Sequence, residues 1–293
     1  MQVRKKYLKI QERLGMRIGL TYGISTRRIV STPAETMEVL GELYKVGFRA
    51  FVLPPKLFAN VINSSDLYKE HYDDLLNIKN MAKKYNIELS IRVEKLPSDP
   101  AQLDSVLKIL CSIASVMDCR TVMIQPNFYP RMPQHQALTL VVHKISELTG
   151  ATRMKPTLGI ETTGRTNELG SLEDVLEICS RTSGTEPIIN LAHIHARGAG
   201  ALRSENDYRM IIDKIRSARG TRWTDNAFLL FSGISYGASG EIQHIDLDRS
   251  DIKLNHLIKN AMSFGMKGTL IFEDPHKDDE LVDMLNEFAD MVR

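Results

Sequence analysis

The chain has 293 residues, 43% of them hydrophobic and 25% charged, with a formal net charge of +2; these values fit an ordinary globular protein and exclude a disordered, collagen-like or strongly basic chain. So even a balance leaves any nucleic-acid surface to a local basic patch. No run approaches the roughly 18 apolar residues that a membrane span needs, and the basic N-terminus lacks an apolar signal core. Three cysteines, Cys111, Cys119 and Cys179, without metal-type spacing, read as small buried side chains in a reducing compartment, which points to the cytoplasm.

Residues 1–16 read as an N-terminal extension, an amphipathic helix with Val3, Tyr7, Ile10 and Leu14 on one stripe. Met16, directly ahead of the first strand, is an alternative start. From 17 to 293, short β-rich runs alternate with longer helical patterns. Strands are expected at 17–22, 50–53, 88–93, 121–125, 157–161, 187–193, 227–231 and 269–273. Helices are expected near 33–46, 66–85, 101–117, 134–148, 171–181, 205–219, 252–264 and 278–292. Cap signals open several of them: Thr32-Pro33, Ser65-Asp66, Asp99-Pro100, Ser171 and Ser204. Gly47, Gly150, Gly184, Gly220 and Gly265 stand at expected helix ends.

The strand runs are continuously apolar, as a parallel sheet covered on both faces requires. Eight strand–helix units without a linker predict an α/β protein built as one (β/α)₈ TIM barrel over 17–293. An open doubly wound sheet is the competitor, but the segment after the first strand, TYGISTRR, has no G-x-G-x-x-G phosphate fingerprint.

Chemistry in such a barrel sits at the carboxyl ends of the strands. Those ends supply Arg92, Gln125, Glu161, Asn190, His193, His195, Glu273 and Asp274, with Glu241 and His244 in the long loop after strand seven. His193 and His195, read as the end of strand six, share one side of the sheet by the period-two rule. Imidazoles and carboxylates are suitable ligands for zinc or manganese, although barrel mouths are polar and wet without any metal. His71, His135, His143 and His256 fall in helical patterns and read as surface or structural residues, and His276 opens the last helix among acids.

The segments IETTGR (160–165), INLAHIHARGAG (189–200), FSGISYGASGEIQHIDL (231–247) and IFEDP (271–275) resemble the archaeal branch of the endonuclease IV family. Those are abasic-site DNA endonucleases with the xylose-isomerase-like barrel. The resemblance implies cleavage of the DNA backbone 5′ of an abasic site by a three-zinc cluster. It places Glu161 on the carboxylate bridging two metals, His193 on a histidine ligand and Glu273 on the closing glutamate. Glu161 and Glu273 are accordingly the catalytic candidates. Glu241 and His244 lie in the loop that supplies the partners of His193 at the third metal, and His195 and Arg197 match the archaeal HxHAR pattern.

The chain departs from that family at four ligand positions. Arg92 and Gln125 stand where two histidines are expected, Asn190 where an aspartate is, and Leu230 where another histidine is. Leucine cannot ligate and arginine brings a fixed positive charge. Only the set His193, Glu241 and His244 keeps three ligands, so the expectation is a depleted centre of at most one or two zinc ions, or none. Arg92, Gln125, Asn190, His195 and Arg197 are then read as substrate-binding. Arg27, Arg28, Arg131, Arg165, Arg197 and Arg203 would give the upper loops a phosphate-binding character.

Three functions remain open at this point. The first is an abasic-site endonuclease with reduced metals and weak or lost activity, its partner damaged duplex DNA. The second is a non-catalytic barrel that binds DNA or a protein partner. The third is a sugar isomerase or epimerase, whose four-ligand set loses the same two positions. The sequence leaves the oligomeric state open.

Overall fold

Eight parallel strands close on themselves, each bonded to its neighbour along the chain, with the last strand completing the ring against the first. The computed structural model describes residues 2–24, 29–58, 70–93, 96, 97, 99–129, 132–151, 156–273, 286, 289 and 290. In chain order the elements are α1 (Gln2–Leu14), β1 (Met16–Leu20), α2 (Pro33–Val46), β2 (Ala50–Leu53), α3 (Tyr72–Tyr85), β3 (Glu88–Val93) and α4 (Pro100–Val116). There follow β4 (Thr121–Ile124), α5 (Gln134–Ala151), β5 (Thr157–Glu161), α6 (Leu172–Arg181), β6 (Thr185–Asn190), α7 (Leu191–Arg197), α8 (Glu205–Arg219) and α9 (Thr221–Thr224). The chain continues with β7 (Ala227–Phe231), β8 (Gly233–Gly237), β9 (Gly240–Ile245), α10 (Leu254–Ser263) and β10 (Gly268–Phe272). The expected α/β barrel is therefore the fold. Its eight staves are β1 to β7 and β10, while β8 and β9 form a separate antiparallel hairpin.

Cap chemistry sets several boundaries. Thr32 accepts from the Glu35 N–H and Asp99 from the Gln102 N–H, while Ser171 with Asp174 and Ser204 with Asp207 form reciprocal capping boxes. Gly47 ends α2 with φ 108°, a left-handed conformation that glycine tolerates without a Cβ penalty. Gly150 corrects an expectation: α5 runs through it to Ala151. The caps Ser65-Asp66, residues Arg27, Arg28, Arg131, Asp274 and His276, and most of the 278–292 helix lie outside the described residues.

Helix α1 buries Tyr7, Ile10 and Leu14 in the main core, but Val3 is exposed. The polar Gln11 takes the buried stripe's remaining place: its amide donates to the Tyr7 and Gly47 carbonyls and accepts from the Ile18 N–H. A buried amide satisfied on both sides carries little desolvation cost.

The side chains inside the barrel stack in levels, since alternate residues of each strand point inward. Ala50, Val52, Met123, Ile188, Phe228, Leu230 and Ile271 form a core cluster of their own, separate from the one between strands and helices. Below it, at the strand starts, Arg120 pairs with Glu88 and Glu186 and donates to Thr269. Above it, at the strand ends, stand Arg92, Glu161, Asn190 and Glu273. The apolar plug separates these two polar levels.

Candidate metal centre

Strand β6 stops at Asn190, sooner than expected. The chain turns there into α7, whose first turn Asn190 caps by accepting from the His193 N–H at 3.2 Å. His193 and His195 are thus helical and not the end of a strand, and residues two apart on a helix face different ways. His193 turns to the mouth. His195 turns outward, fully buried, with its Nδ1 accepting from the Leu202 N–H at 3.1 Å and its Nε2 2.7 Å from Asp251. Both ring nitrogens are thus engaged within the fold, away from the mouth that His193 faces.

Tyr236 donates to the other Asp251 oxygen at 2.7 Å and stacks edge-on against His195. This chain of contacts ties α7 to β8. In place of the expected loop, the hairpin β8–β9 is therefore held over the barrel mouth, and β9 carries Glu241 and His244. Its other anchor is the segment after β5, where Glu241 donates its N–H to the Gly164 carbonyl at 3.0 Å. A Cβ on Gly164 would stand 2.6 Å from the Cβ of Glu241, so only glycine admits the carboxylate there.

One atom each from His193, Glu241 and His244 lie within 4.8 Å of one another. Nε2 of His193 is 3.5 Å from one Glu241 oxygen, and Nε2 of His244 is 3.7 Å from the other. The Nδ1 of His193 lies 2.6 Å from the Thr162 carbonyl, which only accepts, so Nδ1 donates there and Nε2 is the nitrogen turned to Glu241. Nδ1 of His244 lies 2.7 Å from the Ser232 hydroxyl. Burial, then the positive charges of His193 and Arg92, push the His244 pKa down to about 4, so its ring is neutral at physiological pH. Two imidazoles, held from behind by Thr162 and Ser232, and a carboxylate fit a divalent ion of the zinc type with an open position.

The neighbouring part of the mouth does not fit further ions. Arg92 lies across it, with Nη2 2.5 Å and Nε 3.0 Å from the Glu161 carboxylate and Nη1 paired with Glu273. Asn190 donates to Glu161 at 3.1 Å and Glu273 at 2.8 Å. The ring position beside it is filled by Leu230, fully buried and in register with Asn190. Burial works to raise the pKa of Glu161, but the charges of Arg92 and His193, with hydrogen bonds from Arg92 and Asn190, carry it below the ordinary carboxylate value. Glu273 goes the other way: burial outweighs Arg92, and the charge of Glu161 adds to it. Of the two carboxylates, Glu273 takes the first proton.

Two other candidate residues stand elsewhere. Gln125 follows β4 half-buried and makes no hydrogen bond to this group among the described residues. Arg197 is a pin for the 162–170 segment: its guanidinium donates to Thr163 Oγ1 and to the carbonyls of Arg165, Thr166 and Glu168. These bonds engage its guanidinium within the fold. Thr162, Ser232 and Asp251 were not singled out from sequence. Thr162 and Ser232 each follow a strand end directly, the one signal that marks them.

No protein-family model matches the chain. A curated relative, the uncharacterized protein MJ0133 of Methanocaldococcus jannaschii, is 25% identical over 176 residues, covering 59% of this chain and 64% of that protein. The chain thus spans less than two thirds of that relative's length. Among solved structures, SacUVDE aligns with a TM-score of 0.69 at 14% identity over 93% of this chain and 98% of the other. Endonuclease IV from Thermus thermophilus aligns at 0.67, with 15% identity over 94% and 98%. A D-psicose 3-epimerase aligns at 0.58, with 12% identity over 88% and 84%. At such identities the likeness shows the fold alone, a closed (β/α)₈ barrel.

Proposed function

We propose that this chain is an endonuclease IV-like barrel that acts on abasic-site DNA with a single divalent ion, of the zinc type, and that it cleaves far more slowly than the three-metal enzymes it resembles. The observation that carries this reading is the set His193, Glu241 and His244, whose possible ligand atoms lie within 4.8 Å of one another while Thr162 and Ser232 hold the rings from behind. An ion bound there would supply Lewis-acid polarisation of a phosphoryl oxygen. Glu273, inclined to hold a proton, is the candidate general acid toward a leaving oxygen. Exposed Arg165 and Arg203 would bring positive charge to the rim of the same mouth. A guanidinium neutralises charge but does not activate water, hence the slow rate.

A second reading, a barrel that binds damaged DNA or a partner without cutting, is favoured by the ion pair itself. Arg92 engages Glu161 and Glu273 at once, which leaves neither carboxylate unopposed. The epimerase reading is weaker, because Asn190 and Leu230 remove an acidic and a histidine ligand from its set.

Elemental analysis of the purified chain, beside nicking of an abasic duplex with and without chelator, tests the proposal. The expected result is about one equivalent of zinc and slow, chelator-sensitive nicking. Duplex binding without nicking selects the second reading. Metal-free protein that neither binds nor nicks such a duplex overturns both.

A further inference from the structure

At the end of the barrel opposite the metal centre, a cavity of about 610 Å³ opens at the starts of β5 and β6 and ahead of β7. Its wall includes Arg120, Glu186, Arg219, Arg222, Trp223 and Ser183. The charges in it do not cancel. Arg120 is matched by Glu88 at 3.4 Å and Glu186 at 3.3 Å. Arg219 donates to the Cys179 carbonyl at 2.7 Å, and among the described residues neither it nor the exposed Arg222 forms an ion pair with a carboxylate. Two guanidiniums therefore stand beside the cavity without an anion. The same wall holds the partly exposed Glu186 carboxylate, whose Oε2 faces Arg120.

We propose that this cavity binds a small hydroxylated oxyanion of sugar-phosphate size, its phosphate held by Arg219 and Arg222 and one of its hydroxyls donating to Glu186. Guanidinium groups match phosphate oxygens in bidentate fashion, and the volume lies in the range of small-molecule sites, roughly 300–1,000 Å³. The apolar plug of Phe228, Leu230 and Ile271 lies between this cavity and His193, so the site is separate from the metal centre and independent of the function proposed for it.

Isothermal titration of the full chain with inorganic phosphate, glucose 6-phosphate and glucose tests this, with chelator present throughout to suppress ion-dependent binding at the mouth. Both phosphate probes are expected to bind, glucose 6-phosphate several-fold tighter, and glucose not at all. Arg222→Glu, at an exposed residue outside any ion pair among the described residues, should weaken both at least tenfold. Glu186→Gln should narrow the gap between the two phosphates, and Arg165→Glu, at the opposite end, should change neither. Absence of phosphate binding overturns the proposal, as does binding that survives Arg222→Glu or disappears with Arg165→Glu.

Discussion

The guanidinium of Arg92, on β3, closes on Glu161, two strands away at the end of β5, with two hydrogen bonds of 2.5 and 3.0 Å. Glu161 is completely buried and Glu273 nearly so. Removing one partner of a buried charge group strands the others, which costs about 3–5 kcal/mol. Arg92→Met should therefore lower stability by about that much at neutral pH. The loss should shrink on acidification, because Glu273 is the carboxylate that accepts a proton first. Urea denaturation of wild type and variant across the acid range measures it; a loss below about 1 kcal/mol would show that Arg92 contributes no such neutralisation.

Ser232 touches no ion position, yet its hydroxyl at 2.7 Å fixes the ring of His244. Groups that orient ligand histidines from behind typically alter metal affinity by about 10–100-fold. Ser232→Ala should weaken zinc binding within that range while leaving stoichiometry near one, and His193→Ala should abolish it. Competition with a chromophoric chelator reads both. Equal affinity in Ser232→Ala and wild type would remove the ring-orienting role.

Much of this architecture was legible because burial on both faces writes itself into sequence. Ala50–Leu53, Glu88–Val93, Thr157–Glu161 and Ala227–Phe231 all fall at their expected bounds. The β6 boundary was not legible. Ile188, Ile189, Leu191 and Ala192 form one apolar run, and periodicity cannot divide a buried strand from the buried turn of helix behind it. The information lay in Asn190, which caps the helix with its side chain and so sends His193 and His195 to different sides. Glycines hid the hairpin: Gly233, Gly237 and Gly240 read as loop, yet Gly240 adopts φ 87° where the two strands meet. Arg197 shows another limit, since charge alone does not say whether a guanidinium faces phosphate or backbone carbonyls.

That last distinction is measurable. Each basic side chain that neutralises a DNA phosphate adds close to one to the slope of log affinity against log salt. Arg203→Ala and Arg165→Ala, at exposed positions on the mouth, should each reduce that slope by about one for an abasic duplex. Arg197→Ala should leave it unchanged. Instead it should release the amides of residues 162–170 to faster hydrogen exchange, because four hydrogen-bond acceptors in that segment lose their donor. A fall of one in the slope for Arg197→Ala would mark it as a phosphate contact.

Glu186 sets the pH behaviour of the opposite end. Burial raises its pKa above the ordinary 4.5, and the opposing charge of Arg120 does not bring it back. Between 4.5 and that raised value the folded chain holds a proton that the unfolded chain has lost, so stability falls as pH rises through this window. Above the window the full cost of the buried charge is present; below it that cost vanishes. Glu186→Gln removes the titration while Arg120 keeps Glu88 and the Asn226 carbonyl as partners. The stability of wild type relative to this variant should accordingly decline with rising pH from about 4.5 upward and then level off. Denaturant melts at a series of pH values give the comparison. A difference that grows in favour of the wild type with pH would mean that the Arg120–Glu186 attraction outweighs the burial of the carboxylate.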